Sequence, residues 1–594
     1  MSHVLDEKLS KLSKQEQELW ALRHTAEHVL HAAMQNLYPK LKKAMGPATP
    51  DGFYFDFDLD EKISEADFEK IEQEMRSIIK QDLPMNQEFV SATDAKKLFK
   101  NNPYKLEWIE DIGKRGEKVS LFHMGDLDTD LCSGPHVAST GKVKAFKLLS
   151  IAGAYWHGDE KNKMLQRIYA TAYPTQKELD EYLKQQEEAE KRDHRKLGKE
   201  LDLFVFSDVV GKGLPLLTPK GTVIRKQLEK FVLEEETRRG YLHVVTPPLA
   251  KVDLYEKSGH YPYYKDTMYP VMQVDEEKLI LRPMTCPHHF MLYKSRPRSY
   301  KELPMRIAEI SPQFRYEKSG ELSGLTRVRM FCLADAHIIC TKDQAKDEIK
   351  AVLDLIDFAN SVFGLKKGVD YRYRLSLGDR ADTKKYYKDD AAWDKAEGIL
   401  RDVLVESKAP FFEAPNEAAF YGPKIDIQMK KVNGQEETAF TVQYDFVMPK
   451  RFELTYVDAD SKEKEVVVVH RSSIGAFERT MAFLIEHYAG AFPLWLSPVQ
   501  VAVMPIGLKH VDFAKQTLAK LKALDIRAEF WEEETIGKRI RNAEMQKIPY
   551  IAVIGDKEVE AQGVAVRQRG KGDIGMQNLD VFIKQLQQEI KERK

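Results

Sequence analysis

The sequence lacks the features that mark secreted and membrane-spanning proteins. Its 594 residues include only four cysteines, and none of them forms a CxxC pair. A disulfide framework needs cysteines in larger number and at regular spacing, so this usage predicts a reducing compartment. No apolar run reaches the roughly 18 residues of a membrane span, and the charged N-terminus has no apolar signal core. We therefore expect a cytoplasmic protein without a membrane partner.

Neither sign of charge is in excess. Lys and Arg number 92 against 93 Asp and Glu, which gives a net charge of −1. Any surface for nucleic acid must therefore be a local patch, and the balance neither supports nor excludes RNA. With 43% hydrophobic and 31% charged residues, the composition is that of an ordinary globular protein. The length predicts three or four domains.

The most informative stretch is residues 313–340, QFRYEKSGELSGLTRVRMFCLADAHIIC. Turn residues between two β-prone runs predict a hairpin with a long loop. The guanidinium groups of Arg315, Arg327 and Arg329 suit a polyanionic ligand, because they match phosphate oxygens bidentately. Taken alone, such a stretch is more often a solvated hairpin with surface arginines.

Two further stretches place this one in a pattern. FRYE at 314–317, GYLHVVTPPLA at 240–250 and VVVVHRSSIGAFERTMAFLIEHYAG at 466–490 resemble motifs 2, 1 and 3 of class II aminoacyl-tRNA synthetases, in the right order. In the third stretch we expect a buried strand and then a helix that carries Gly475 and Arg479 on one face.

The N-terminal part contains a second group of candidate residues. Residues 1–22 are polar and predicted to be helical, and His24, His28 and His31 follow on a helical pattern. Much later, DLCSGPH supplies Cys132 and His136, four residues apart. Two such pairs are compatible with a tetrahedral zinc site, with a metallohydrolase built on the HxxxH helix, or with histidines packed in a core.

Here the sequence resembles the editing domain of threonyl-tRNA synthetases, through GFYFDFDL, NKMLQRIYATA and CSGPH. In that family the His/His/Cys/His cluster hydrolyses misacylated tRNA without a bound metal. The resemblance implies an editing role for His24, His28, Cys132 and His136, with Asp130 as a helper and Lys105 as a further cationic candidate. Zinc at this cluster remains the alternative: editing predicts one zinc per chain, and the alternative predicts two.

A third group is spread widely along the chain. Cys286 in LRPMTCPHH, His337 in ADAH and His470 in VVVVHRSS form a set that is typical of a substrate-handling zinc with one open position. In threonyl-tRNA synthetases these positions bind a zinc in the amino-acid pocket. Asp335 is placed to accept a hydrogen bond from the hydroxyl group of threonine.

Zinc makes physical sense for selecting threonine. An apolar pocket separates threonine from valine by only about a hundredfold, whereas a metal that binds the amino and hydroxyl groups demands that hydroxyl. Serine keeps the hydroxyl and lacks only a methyl group, which is worth roughly 1–3 kcal/mol. A second, hydrolytic site is therefore expected.

The resemblance also implies an ATP site. Arg315 holds the α-phosphate and the substrate carboxylate, Glu317 orients the adenine amine or a metal, and Arg327 reaches the outer phosphates. Phe331 and Arg479 cover the two faces of the adenine, and Mg²⁺ bridges the phosphates.

Other pocket residues follow from the same resemblance. Met284, Tyr421 and Gln443 belong to the substrate pocket, and His260, in the Tyr-rich polar loop SGHYPYYKD, is a proton relay near the 3′ adenosine of tRNA. Leu333 and Thr438 stand where the family commonly has glutamines that grip substrate or ATP. Binding there is expected to be weaker or compensated elsewhere.

From residue 498 onward, strands alternate with helices, which implies a small α/β sheet. This part resembles an anticodon-binding domain, in which unstacked bases are read by side chains. Arg541, Glu558 and Arg567 are the implied contacts, and Glu533 stands where an asparagine is common.

Together these features predict an α/β multidomain (α+β) protein. Its parts are an editing α+β domain (1–173), a linker helix (174–201), a class II catalytic core with an antiparallel sheet flanked by helices (202–495) and an α/β anticodon-binding domain (496–594). Many relatives carry a ubiquitin-like domain before the editing domain, which this sequence lacks.

The implied activity joins L-threonine to tRNA(Thr) with ATP, one zinc per subunit and Mg²⁺, and it removes serine from mischarged tRNA. A homodimer is expected because motif 1 packs across a two-fold axis in this class. Two rivals remain: an RNA-binding regulator derived from a synthetase, and a metallohydrolase centred on His24 and His28.

Overall fold

The computed structural model describes Leu9 and residues 12–594. The chain divides into two compact units, Met1–Gln185 and Gln186–Lys594. Part of the predicted helical lead-in, at residues 1–8, 10 and 11, lies outside the described residues. Within the part of the chain that is described, no helix is long and apolar enough to cross a bilayer.

The N-terminal unit is built on one long helix packed against a sheet. The helix Lys14–Leu37 begins at a capping box, in which Ser13 Oγ accepts from the Glu16 N–H at 3.3 Å and Glu16 Oε2 accepts from the Ser13 N–H at 2.8 Å. Its inner face buries Leu30 in a core shared with Phe55 of the sheet. The strands of this antiparallel sheet run in the order Lys42–Met45, Gly52–Asp58, Met164–Tyr173 and Ala145–Tyr155, with Ala48–Thr49 paired to the second.

A smaller antiparallel sheet in the same unit positions Asp130. Its strands are Met85–Val90, Val119–Met124 and Asp128–Leu131. The other helices of this unit are Phe68–Lys80, Ala92–Leu98 and Pro103–Lys114. The mixed-charge segment that follows is helical at Gln176–Lys191 and His194–Glu200.

The larger unit contains a sheet of eight described strands, antiparallel except at its two edges, where the pairing is parallel. From one edge to the other the strands are Leu242–His243, Met305–Phe314, Met330–Cys340, Val467–Ala476, Glu436–Asp445, Lys424–Lys430, Tyr371–Ser376 and Phe411–Ala414. The longer helices that accompany it are Pro219–Arg238, Ala345–Val362, Asp390–Glu406 and Phe477–His487.

Short elements complete this part of the chain. The short helices are Val252–Ser258, His260–Tyr263, Cys286–Lys294 and Met448–Phe452. Three small sheets are formed by Phe204–Val205 with Leu216–Leu217, by Leu249–Lys251, Glu277–Leu281 and Met272–Val274, and by Thr455–Val457 with Glu463–Glu465.

The predicted hairpin with a long loop is confirmed. Strands Met305–Phe314 and Met330–Cys340 are antiparallel, and Phe314 lies opposite Met330 at the loop end. Arg315 therefore follows directly on the first strand, and the loop returns before the second strand begins.

The prediction that Gly475 and Arg479 share a helix face is wrong. Gly475 belongs to the strand Val467–Ala476, and the helix begins only at Phe477. The φ of Gly475 is +79°, and a Cβ atom there would lie 2.8 Å from the Ala439 carbonyl oxygen. Glycine is therefore required at this end of the strand. The backbone there is left-handed, and there is no space for a Cβ atom.

The Tyr-rich segment SGHYPYYKD is not the polar loop that its composition predicts. Its backbone forms the helix His260–Tyr263 after a left-handed Gly259 at φ +81°. The His260 side chain is buried, with its ring 5.5 Å from that of Phe420. Of the described side chains in this segment, Ser258 and His260 are buried, whereas Tyr263, Lys265 and Asp266 are exposed.

The C-terminal part confirms the predicted small α/β sheet. Its strands lie in the order Ala528–Phe530, Val501–Pro505, Tyr550–Ile554, Gly563–Gln568 and Gly572–Asn578. The first three are parallel, and the last two add antiparallel pairs that the alternation of strands and helices did not indicate. The helices are Val511–Ala523, Ile536–Met545, Asp556–Glu560 and Leu579–Lys591.

Candidate functional site

Four predicted residues of the N-terminal unit come together, and we call them the N-terminal cluster: His24, His28, Cys132 and His136. One nitrogen or sulfur atom of each lies within 4.8 Å of the others. The first two stand one turn apart on the helix Lys14–Leu37, and the other two lie in the segment that follows a strand. The helix and the sheet thus bring together residues that are about a hundred positions apart.

Hydrogen bonds on the outer sides of two imidazoles let us assign their tautomers. His24 Nδ1 lies 3.2 Å from the Pro135 carbonyl oxygen, so this nitrogen carries the proton. His136 Nδ1 lies 3.2 Å from Thr25 Oγ1, whose own proton goes to a backbone carbonyl at 2.9 Å. Both Nε2 atoms therefore present lone pairs, and Cys132 Sγ lies 3.4 Å and 3.2 Å from them.

The N-terminal cluster is electrically neutral near pH 7. Burial lowers the pKa of His24 to about 4 and that of His136 to about 2, and it holds the pKa of His28 well below its usual value. Burial also raises the pKa of Cys132 to about 12, so the thiol stays protonated. Such imidazoles can take a proton from water, whereas a protonated thiol is a poor nucleophile. The same lone pairs also suit a metal ion.

A buried network of charged residues adjoins this cluster. His31 contacts the Glu27 carboxylate on one side, and its Nδ1 lies 3.0 Å from Asp130 Oδ2 on the other. Asp130 Oδ1 lies 2.7 Å from Lys105 Nζ. Although burial alone would raise it, these cations hold the pKa of Asp130 well below its usual value.

Sequence reasoning named Asp130 and Lys105 but missed Glu27 and gave His31 no role. The signal was present, because His24, Glu27, His28 and His31 are spaced i, i+3, i+4 and i+7, which is one face of a helix. A polar stripe at core spacing indicates a cavity rather than solvent. The network lines a cavity of about 630 Å³ together with His24, His28 and Cys132 of the cluster.

The larger unit has a cavity of about 310 Å³ beside its main sheet, which we call the core pocket. It collects most of the residues that the sequence predicted, namely Met284, Cys286, Arg315, Glu317, Arg327, Phe331, Asp335, His337, Tyr421, Gln443, His470 and Arg479. The sheet and the loop therefore bring into one pocket residues that are up to almost 200 positions apart in the sequence.

The register of the sheet explains much of this convergence. His337 lies directly opposite His470 on the neighbouring strand, and His470 lies opposite Gln443 on the next strand. Asp335, two residues from His337, points to the same face, because side chains alternate along a strand. Cys286 comes to this face as the first residue of its helix.

Cys286, His337 and His470 have the geometry of a metal site. One nitrogen or sulfur atom of each lies within 4.8 Å of the others, and all three side chains are buried. His470 Nε2 lies 2.7 Å from Asp445 Oδ2, so Nε2 carries the proton and Nδ1 keeps its lone pair.

His337 is oriented by a residue that sequence reasoning missed. His289 Nε2 lies 3.2 Å from Glu309 Oε2 and donates to it, so His289 Nδ1 accepts from the Nδ1–H of His337 at 2.8 Å. Nε2 of His337 is then left with a free lone pair. A thiol and two imidazoles with fixed tautomers fit a zinc ion and its usual outer partners. The only sequence signal was the second histidine of CPHH.

The arginines of the core pocket are held by their surroundings. Arg315 is half-buried, and the removal of water from around its guanidinium group lowers the pKa of that group. Arg479 donates to a backbone carbonyl through Nη1 at 3.1 Å, and Glu317 Oε2 accepts from Arg327 Nε at 2.9 Å. Guanidinium groups gathered in one partly closed cavity suit a phosphate-bearing ligand.

Polar side chains fill the remainder of the pocket. The Tyr421 hydroxyl donates to Gln443 Oε1, and the Tyr421 ring stacks on His470 at 5.1 Å. Asp335 Oδ2 accepts from Gln313 Nε2 at 3.3 Å, and burial raises the pKa of this aspartate. Gln313 was not predicted from the sequence.

Glutamines also stand close to the two positions where the sequence departs from the family. Gln313 lies on the strand beside Leu333 and lines the core pocket with it. Gln428 lies opposite Thr438 and donates to its Oγ1 at 2.7 Å. The core pocket therefore keeps one glutamine amide near Leu333, that of Gln313, which comes from the neighbouring strand.

His260 lies outside the set that lines the core pocket. Its Nδ1 is 2.7 Å from Ser258 Oγ, and burial lowers its pKa to about 3. The structure therefore presents a neutral, buried imidazole next to the Phe420 and Tyr421 rings.

The three predicted anticodon contacts differ in exposure. Arg541 is exposed, and Arg567 is half-buried with Nη2 at 3.6 Å from Glu544 Oε1. Glu558 is almost fully buried, and its Oε2 accepts from the Gly555 N–H at 2.9 Å, which caps its own helix.

Three protein families match parts of the chain. The tRNA synthetase class II core domain (G, H, P, S and T) matches residues 269–488, and an anticodon binding domain matches residues 500–592. The threonyl and alanyl tRNA synthetase second additional domain matches residues 119–169, which include half of the N-terminal cluster.

Individual relatives agree with these families. The chain is 49% identical to the threonine–tRNA ligase of Anoxybacillus flavithermus over 96% of its length and 88% of that protein. It is 48% identical to the ligase of Halalkalibacterium halodurans over 97% of its length and 90% of that protein. A crystal structure described as the RNA binding domain of threonyl-tRNA synthetase from Cryptosporidium parvum has a TM-score of 0.63 and 34% identity, and the match covers 67% of this chain and 98% of that one. The chain therefore belongs to the threonine–tRNA ligase family.

Proposed function

We propose that the protein activates L-threonine with ATP, transfers it to the 3′ end of tRNA(Thr), and hydrolyses seryl-tRNA(Thr) formed in error. The observation that carries this proposal is the presence, in one member of this family, of both the core pocket and the N-terminal cluster. We also propose the domain limits stated above: editing 1–173, linker helix 174–201, core 202–495 and anticodon-binding domain 496–594.

The core pocket is the proposed site of activation. Cys286, His337 and His470 would hold a zinc ion, which when bound supplies a Lewis acid for the amino and hydroxyl groups of threonine. Asp335 is the carboxylate that accepts from the substrate hydroxyl. Tyr421 and Gln443, which are hydrogen-bonded to each other, form a polar wall beside these ligands, and Met284 lines the same pocket.

ATP occupies the part of the pocket that carries the arginines. Arg315 neutralises the charge that develops on the α-phosphate and the carboxylate, and Arg327 holds the outer phosphates together with Mg²⁺. Phe331 and Arg479 enclose the adenine, and Glu317 contacts its amine or the metal. We propose His260 as a relay near the ribose of the tRNA, and its neutral imidazole beside the Tyr421 ring supports that role.

The N-terminal cluster is the proposed site of ester hydrolysis. A neutral imidazole of His24, His28 or His136 takes a proton from water, and the oxygen of that water attacks the seryl carbonyl carbon. The bond from this carbon to the ribose oxygen then breaks, the imidazolium gives its proton to that oxygen, and serine and tRNA leave. The protonated Cys132 thiol donates its one proton to one of the two Nε2 atoms beside it and orients that imidazole rather than attacking.

Partners follow from the same assignment. Arg541 and Arg567 are the proposed anticodon contacts, with Glu558 as a third. A homodimer is supported by exposed apolar side chains in the motif 1 segment, where Leu242 is 58% and Val245 95% exposed. We place the enzyme in the cytoplasm, in line with its four free cysteines.

Cys132→Ala tests the assignment of the two sites. The variant is expected to charge tRNA with threonine at the normal rate while seryl-tRNA accumulates, because only hydrolysis is impaired. The rival metallohydrolase, which the free lone pairs of His24 and His136 also fit, instead predicts two zinc ions per chain and the loss of one in this variant. Zinc analysis of the purified protein decides between one ion and two.

A further inference from the structure

The proposed hydrolysis leaves one buried carboxylate without a role. Glu27 is 0% exposed; its Oε1 contacts His31 Nε2, whereas its Oε2 has no hydrogen-bond partner. Its side chain lines the cavity of the N-terminal cluster. A buried carboxylate oxygen without a donor is costly, so Oε2 calls for a further hydrogen-bond donor.

The neighbouring carboxylates are already engaged. Asp130 contacts His31 through Oδ2 and Lys105 through Oδ1. Glu117, which also lines the cavity, is exposed and lies 3.0 Å from Arg115 Nε. Glu27, by contrast, contacts His31 on one side only.

The backbone leaves room for this carboxylate. A Cβ atom on Gly46 would lie 1.3 Å from Glu27 Oε1 and 2.8 Å from His31 Nε2. The absence of a side chain at Gly46 therefore allows the carboxylate to sit in the cavity wall. His31, clamped between Glu27 and Asp130, fixes its direction.

Glu27 also lies next to the reacting groups. Its Oε2 is 3.9 Å from Nε2 of His28, a member of the N-terminal cluster. A group bound to Oε2 therefore lies next to one of the imidazoles that are proposed to take a proton from water. The four residues of the cluster are uncharged near pH 7, so they offer no counter-ion of their own.

The substrate brings a donor for this oxygen. An aminoacyl ester carries an α-amino group, whose pKa near 8 makes it an ammonium group at neutral pH. We propose that Glu27 is a substrate-binding residue of the hydrolytic site, and that its carboxylate receives the α-ammonium group of the seryl ester. This inference rests on the proposed hydrolysis of seryl-tRNA.

A charge-assisted hydrogen bond of this kind changes affinity strongly. Its loss costs about 10- to 100-fold in kcat/KM. Burial raises the pKa of Glu27 to about 7, so the free carboxyl group is partly protonated near neutrality. A bound ammonium group favours the charged form.

The test compares two substrates on the full-length protein. Seryl-tRNA(Thr) is one, and the same tRNA after nitrous acid deamination, which replaces the α-amino group by a hydroxyl, is the other. The wild type is expected to prefer seryl-tRNA by about 10- to 100-fold in kcat/KM. Glu27→Gln keeps the shape and removes the charge, so it should abolish this preference by slowing only the seryl substrate. Glu117→Gln is the matched control and should leave the preference unchanged.

The outcomes separate this inference from the proposed function. A wild type that hydrolyses neither ester contradicts the hydrolytic function itself. A wild type that hydrolyses both esters equally overturns the role of Glu27, whatever the variant does. So does a Glu27→Gln protein that loses both activities in equal measure, or one that keeps the wild-type preference.

Discussion

The outer partner of His337 offers a test of the proposed zinc site that changes none of the three ligands. His289 Nδ1 accepts from His337 Nδ1 at 2.8 Å, and its own Nε2 is anchored to Glu309 at 3.2 Å. His289→Phe keeps a ring of similar size and removes this acceptor, so the proton of His337 is free to occupy either ring nitrogen. In the molecules in which this proton lies on His337 Nε2, zinc must displace it before it can bind.

The loss of an outer partner of this kind lowers metal affinity by about 10- to 100-fold. This corresponds to about 1.4–2.7 kcal/mol of binding free energy. Competition between the protein and a chromophoric zinc chelator measures the affinity directly, without reference to activity.

His288→Phe is the matched control, because His288 precedes His289 on the same helix and its Nδ1 has no hydrogen-bond partner. The control should bind zinc as the wild type does. Unchanged affinity in His289→Phe would refute the relay, and an equal fall in both variants would show that helix stability, not imidazole orientation, controls binding.

Three other predictions concern packing, pH and the replaced glutamines. In denaturant titration, Gly475→Ala should lose about 2–4 kcal/mol of unfolding free energy, because the new Cβ atom adds left-handed strain and a contact at 2.8 Å. Gly398→Ala is the control and should lose none, because nothing lies within 4 Å of a Cβ atom there. Equal effects of the two substitutions would contradict this account. The pKa of His24 is lowered by burial to about 4, so between pH 6.5 and 4 only the unfolded state binds its proton, and stability should fall by about 3 kcal/mol from this group alone; protection factors of its helix amides, corrected for the intrinsic pH dependence of exchange, that stay constant over this range would disprove it. Gln313→Leu should raise the KM for threonine about tenfold, whereas Gln428→Leu, outside the pocket, should not; the reverse order would show that the compensating amide is Gln428.

The larger part of the fold was predictable because it rests on local patterns. The hairpin of residues 313–340 follows from turn residues between two apolar runs, and the C-terminal α/β sheet follows from alternating strands and helices. The position of Gly475 was mispredicted because the helix was assumed to begin two residues too early. The strand end needs a left-handed residue, and only a glycine with φ of +79° satisfies it.

The candidate sites were predictable only in part. Cys286, His337 and His470 share no local spacing, and only the sheet register shows that His337 faces His470 across neighbouring strands. The outer partners were missed because hydrogen bonds between distant side chains leave no periodic trace in a sequence. Glu27 was missed as well, but it did leave a trace in the sequence. Its spacing from His24 and His28 places it on the same helix face.

The most direct test of the central claim is ATP–pyrophosphate exchange with threonine, serine and valine, each measured with and without a zinc chelator. The proposed core pocket predicts rapid exchange with threonine, slower exchange with serine, almost none with valine, and loss of all exchange once the metal is removed. Full activity in metal-free protein, or exchange with valine as fast as with threonine, would contradict it.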